Sequence, residues 1–169
     1  MPSSPTFRVS SRPGEPDDLA LSHERVPFAG HFGRRRTGTA VLTVDDQVVA
    51  AVAFSSDRRD AARCRVRHWA VRRDRQGEGL GPTAIDEFAD WAVDGAYDAV
   101  LVNAATPHAA VALHRAGFGF TGECGPQGEV AFARPTPAGG LLEDALEALL
   151  ERPLPSSQRR YAREHLRRS

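Results

Sequence analysis

The chain contains no lysine, so all 22 of its basic residues are arginine. It holds one isoleucine, Ile85, and two cysteines, Cys64 and Cys124. Two cysteines are too few for a disulfide framework and have no metal-ligand spacing, so both are expected to be small reduced fillers, and no metal site is expected. The missing lysine excludes a P-loop, which requires Gly-Lys-Ser/Thr. No apolar run approaches the roughly 18 residues that a membrane-spanning helix needs, and Met1-Pro2-Ser3-Ser4-Pro5 lacks the apolar block of a secretory leader. The expected setting is therefore the cytoplasm, away from membrane. Net charge is absent too, because 22 acidic residues balance the arginines. The global charge makes no case for nucleic acid as a partner, and only local charge can matter.

What is present is ordinary globular composition, with 41% hydrophobic and 26% charged residues over 169 positions. That excludes a disordered chain and predicts one domain with room for an appendage. Residues 1–16 carry Pro2, Pro5, Pro13, Gly14 and Pro16 and are expected to be a flexible N-terminus with at most a short strand at Phe7 to Ser10. One short helix and an irregular segment are expected within residues 17–36. Thr39 to Val44 and Gln47 to Phe54 are β-branched or apolar around Asp45-Asp46, which predicts a hairpin. Arg63 to Val71 alternates charged and apolar residues as a third antiparallel strand.

The period then changes. Ile85, Phe88, Ala89, Ala92 and Val93 fall at three- and four-residue spacings, predicting a helix from Pro82 to Gly95. A strand at Ala99 to Val102, a helix from Pro107 to Ala116 stopped by Gly117, and strands at Phe118 to Gly122 and Val130 to Ala133 follow. Pro135 to Gly140 reads as a turn-rich connection, which divides the chain into a main domain at 17–135, a linker at 136–140 and a C-terminal helical appendage at 141–169. In the appendage Leu141, Leu142, Ala145, Leu146, Leu149 and Leu150 form an apolar stripe, to be buried against the domain or in a homodimer. Ser157 is expected to cap a final helix bearing Arg159, Arg160, Arg163, Arg167 and Arg168.

The informative stretch is Val71-Arg72-Arg73-Asp74-Arg75-Gln76-Gly77-Glu78-Gly79-Leu80-Gly81-Pro82, where a strand ends, glycines turn the chain and a helix opens. Helix-start N–H groups are unpaired and the macrodipole is positive there, so a diphosphate is favoured wherever side chains do not block it. Glycines at 77, 79 and 81 are expected to clear that approach. A Rossmann turn would follow an early parallel strand, not an antiparallel meander.

Gln76-Gly77-Glu78-Gly79-Leu80-Gly81 resembles the (Gln/Arg)-x-x-Gly-x-(Gly/Ala) signature of the GNAT acyltransferases, and Trp69-Ala70-Val71 precedes it where that family has an apolar strand. Thr106-Pro107-His108-Ala109, running on to Leu113-His114-Arg115-Ala116-Gly117-Phe118, resembles the family's later Asn-Pro-x-Ala, helix, Tyr-x-x-x-Gly-Phe block. The resemblance spans roughly residues 39 to 134. It implies a mixed α+β fold, mostly antiparallel with a splayed parallel pair, here with a C-terminal helical extension. It implies acetyl-CoA as cosubstrate and direct acyl transfer to a primary amine on a small molecule or peptide. Ala70 and Val71 would pair by backbone with the pantetheine arm, the amides of Gln76, Gly77, Glu78, Gly79, Leu80, Gly81 and Pro82 would surround the pyrophosphate, and Arg72, Arg73 and Arg75 would supply positive charge.

Two positions depart from the family pattern. Thr106 stands where a CoA-contacting Asn is usual, and Leu113 where a Tyr protonates the leaving thiolate. Leucine donates no proton. His114 is the neighbouring candidate acid, although a helical step of about 100° points it elsewhere. The strand before the turn holds no carboxylate, which leaves His68 as the candidate base beside a water relay. His23, Glu24, His31 and Arg34-Arg35-Arg36 are candidates for the acceptor pocket. The alternatives are an acyl-CoA-binding module with little catalysis, and attachment to nucleic acid through the C-terminal arginines, set against their pairing with the acidic helix at 143 to 151.

Overall fold

Asp45 and Asp46 both take left-handed backbone angles, φ 51° and 64°, and this mirror-image turn lets two strands fold back with matching twist. The structure, a computed structural model, describes residues 3–15, 37–136 and 140–168. The helix expected within 17–36 and the candidates His23, Glu24, His31 and Arg34 to Arg36 lie outside those residues. The chain divides into two compact units, residues 1–100 and 101–169.

In the first unit, β1 (Thr6–Ser11), β2 (Gly38–Val44), β3 (Gln47–Ser56) and β4 (Arg63–Val71) form an antiparallel meander. The N-terminal strand expected at Phe7 to Ser10 thus runs slightly longer and pairs with β2. Helix α1 (Leu80–Gly95) follows, beginning two residues before the expected Pro82. On one face Leu80 and Ala84 of α1 pack with Leu42, Val44, Val49 and Ala50, against which Phe7 and Val71 lean. Phe54, Phe88 and Trp91 interlock with ring centroids 4.9 to 5.8 Å apart. A side chain at Gly38 would fall 2.5 Å from the Phe54 ring, so only glycine lets β2 pass that ring. Each fully buried ring or branched chain contributes about 1.5 to 3 kcal/mol. Cys64 is wholly buried in β4, and burial pushes its thiol up to about 12 against the opposing charge of Arg67, as suits an inert filler.

The boundary of the units falls within β5 (Ala99–Ala104). The second unit contains α2 (Pro107–Arg115), the antiparallel pair β6 (Gly119–Cys124) and β7 (Val130–Arg134), α3 (Leu142–Leu150) and α4 (Ser156–Arg167). Strand order is β1-β2-β3-β4-β5-β7-β6, a mostly antiparallel sheet with one parallel pair, which with four helices gives the expected mixed α+β fold. Ala145, Leu146 and Leu149 of α3 are buried, whereas Leu141 precedes the helix and is 56% exposed, so the apolar stripe is narrower than its composition suggested. Ser157 does not cap α4: the helix starts at Ser156, with Pro155 at the cap and no side-chain cap bond. Proline sets the backbone angle there but has no side-chain acceptor, so the N–H groups of this exposed helix start are left to solvent. Among the described residues no helix is long and apolar enough to cross a membrane.

Candidate functional site

Strand β4 delivers the chain into the glycine turn with its exit fixed on one side. Ala70 pairs with Ala51 and Val71 with Ala50, and the Arg72 N–H donates to the Val49 carbonyl at 2.7 Å. A single 3-10 turn at Arg73–Arg75 follows, and the Gln76 side-chain amide reaches back to donate to the Val71 carbonyl at 3.3 Å. Gly77 and Gly79 then take φ 86° and 78°, angles that side chains with a Cβ rarely adopt. Nothing lies within 4 Å of the position a Cβ would occupy at either residue, so the turn presents bare backbone to open space.

Gly81 differs from the other two. A Cβ there would meet Val71 Cγ2 at 3.2 Å and Trp69 Cζ2 at 3.5 Å, while Trp69 Nε1 donates to the Gly81 carbonyl at 3.0 Å. Its missing side chain seats the start of α1 against β4 instead of clearing an approach. Gly79 is the helix cap, and Thr83 is the first residue whose N–H finds a helical acceptor, the Gly79 carbonyl at 3.2 Å. Pro82 has no N–H, which leaves the amides of Leu80 and Gly81 at the helix start without an intrahelical acceptor. Bare turn, unpaired amides and helix dipole together favour an anion.

The three arginines of the turn differ in use. Arg72 is buried, its Nε and Nη2 donating to both Asp74 oxygens at 2.6 and 3.1 Å and its Nη1 to Gln47 Oε1 at 2.9 Å. Arg75 donates from Nε to Glu78 at 2.9 Å, so the one carboxylate between the glycines is matched by a cation. Arg73 is exposed and takes part in none of the ion pairs of the described residues. Sequence position made the three look alike, and the partners distinguish them.

In the second unit, Thr106 caps α2: its hydroxyl accepts from the Ala109 N–H at 3.2 Å, and Pro107 occupies the first helical position. Leu113 is fully buried and His114, the next residue, is exposed. Gly117 closes the helix at φ 85°, with its N–H on the His114 carbonyl and that of Phe118 on Leu113. His68 is half-buried on β4, opposite Ala53.

The model of the acetyltransferase (GNAT) family matches residues 5–120. The chain belongs to that family. The match runs from β1 into β6, so it includes the glycine turn and α2, while β7, α3 and α4 lie beyond it. An IAA acetyltransferase from Bacillus cereus has a similar fold, at TM-score 0.56 and 15% identity over 77% of this chain and 98% of that one. A putative GNAT acetyltransferase from Desulfovibrio desulfuricans matches at 0.53 and 14% over the same shares. A Bacillus subtilis acetyltransferase, whose structure contains CoA, matches at 0.52 and 12% over 58% of this chain and 76% of that one. None of the curated protein sequences matches significantly. Identities this low establish the shared fold alone, and family membership rests on the 5–120 match.

Proposed function

We propose that this acetyltransferase uses acetyl-CoA, holding its diphosphate at Gln76 to Gly81, and passes the acetyl group directly to a primary amine. The observation that carries this reading is the pair of positive-φ glycines, 77 and 79, facing open space before the unpaired amides of Leu80 and Gly81. The CoA in the Bacillus subtilis structure supports the same cosubstrate. Arg73 adds charge that is not already engaged, whereas Arg72 holds the turn in shape through Asp74 and Gln47. Thr106 acts through the helix it caps.

In the reaction the lone pair of a neutral amine attacks the thioester carbonyl carbon, the carbon–nitrogen bond forms, the carbon–sulfur bond breaks and the sulfur leaves with the bonding electrons. The nitrogen gives up one proton to a base or water, and the sulfur takes one up from an acid or water, leaving an amide and the CoA thiol. The resemblance assigns the end of β4, Ala70 and Val71, to the pantetheine arm and a backbone amide near Val71 to the carbonyl oxygen. Positioning supplies most of the rate. His68 or a water relay is the candidate base, and the proton for the leaving sulfur comes from His114 or from water. Calorimetry with acetyl-CoA and an amine panel read by CoA release test the proposal. Micromolar-range binding that is lost in a folded Gly79→Glu variant supports it, since the new side chain would place bulk and negative charge beside the diphosphate. Unchanged affinity in that variant overturns the site, and binding without turnover across the panel replaces the enzyme with an acyl-CoA-binding module.

A further inference from the structure

Helix α4 packs within the second unit through a narrow face. Ala162 is buried, Tyr161 stacks on His108 of α2 at 3.7 Å between ring centroids, and His165 lies 4.8 Å from the Tyr161 ring. The opposite face carries Ser156, Arg160, Arg163 and Arg167, which with Arg159 line a shallow concavity of about 330 Å³. Arginines at 160, 163 and 167 share one side of a helix and are separated by about 4.5 and 6 Å along its axis. Arg159 is anchored, its Nη1 donating to the Leu150 carbonyl at 3.0 Å and the Arg152 carbonyl at 2.9 Å.

The sequence alone offers an intramolecular purpose for these charges, because α3 carries Glu143, Asp144 and Glu147, with Glu151 at its end. The structure removes that purpose. Among the described residues no ion pair joins an α3 carboxylate to Arg160, Arg163 or Arg167. Glu164 is the sole acid within α4. We propose that the outward face of α4 is a docking surface for the phosphodiester backbone of a nucleic acid. Guanidinium forks match phosphate oxygens bidentately, and a column of cations about 4.5 and 6 Å apart along one helix side suits a polymer with one charge per repeat. An acidic protein partner would need a buried apolar anchor at the centre of the contact, which this face lacks. A lipid surface would need an apolar face beside the basic one, and that face of α4 is already covered.

The test uses the full chain with fluorescent single-stranded RNA of about 20 nucleotides, duplex DNA of equal length and polyglutamate, read by anisotropy between about 50 and 200 mM salt. Binding to RNA, DNA or both should weaken steeply with salt. The triple variant Arg160→Gln, Arg163→Gln, Arg167→Gln should reduce the log–log salt slope by about 2 to 3, since each lost phosphate contact removes about 0.7 to 0.9. Arg163→Gln alone should remove about one contact's worth and serves if the triple variant fails to fold. Unchanged melting and unchanged acetyl-CoA affinity in the variants separate this surface from the glycine turn. Absence of salt-dependent binding to either nucleic acid, an unaltered slope in the variants, or polyglutamate bound as tightly as nucleic acid would overturn it.

Discussion

At Arg72 the guanidinium is fixed by three hydrogen bonds in a nearly closed setting, with the side chain 11% exposed, whereas its neighbour Arg73 extends into solvent. Replacing the two should therefore separate stability from binding. Arg72→Ala removes one partner each from Gln47 and Asp74 and is expected to lower unfolding free energy by about 1 to 2 kcal/mol, the lower end being favoured because Asp74 is mostly exposed. Arg73→Ala should leave the denaturation midpoint unchanged and weaken acetyl-CoA binding by a few fold, more at low salt than at high. Thermal melts and calorimetry on both variants check this, and equal loss of stability in the two would contradict the assigned difference. The contrast was hidden in the sequence because Gln47, which holds Arg72, lies 25 positions away in another strand. Local pattern reports what a segment prefers and not which distant side chain will meet it. Gly81 follows the same rule: its restriction comes from Val71 and Trp69 across the strand–helix contact.

At the level of elements, period and turn chemistry were enough to place β4 at Arg63–Val71, the end of α1 at Gly95 and the end of α2 before Gly117. In each of these the local signal and the tertiary packing agree. The C-terminal helices were legible as helices but not in how they are joined. Arg159 covers carbonyls left over at the end of α3, and Arg152 Nη1 donates to the Ala105 carbonyl at 2.7 Å, just before α2. Arg152 and Arg159 thus tie α3, α4 and the start of α2 together. The leucine stripe completes the attachment. Leu149 is fully buried on α3, and Leu149→Ala is expected to cost about 2 to 5 kcal/mol through lost burial and the cavity left behind. Chemical denaturation measures the loss. A change below about 0.5 kcal/mol would mean that α3 contributes little to the fold, since that is the range of ordinary surface substitutions.

At the scale of the whole molecule, catalysis turns on one position: Leu113 stands where the resemblance to other members of the family implies the hydroxyl of the acid. Leu113 is fully buried, so a tyrosine placed there would overpack the second unit at a cost of about 1 to 3 kcal/mol, and restoring the residue would confuse stability with chemistry. His114 gives the cleaner experiment, because it is exposed and its replacement disturbs no packing. A thiol with pKa near 8.5 makes its thiolate a tolerable leaving group around neutral pH, and water can then supply the proton. The predicted outcome is slow turnover, below that of an acid-assisted enzyme by some part of the usual 10² to 10⁴-fold contribution. His114→Ala should leave kcat within about twofold and acetyl-CoA affinity intact, because a helical step of about 100° turns His114 away from the Leu113 direction. Steady-state kinetics from pH 6 to 9 on parent and variant decide the matter. A fall of about tenfold or more in kcat, with acetyl-CoA affinity preserved, would make His114 the acid and remove solvent from that role.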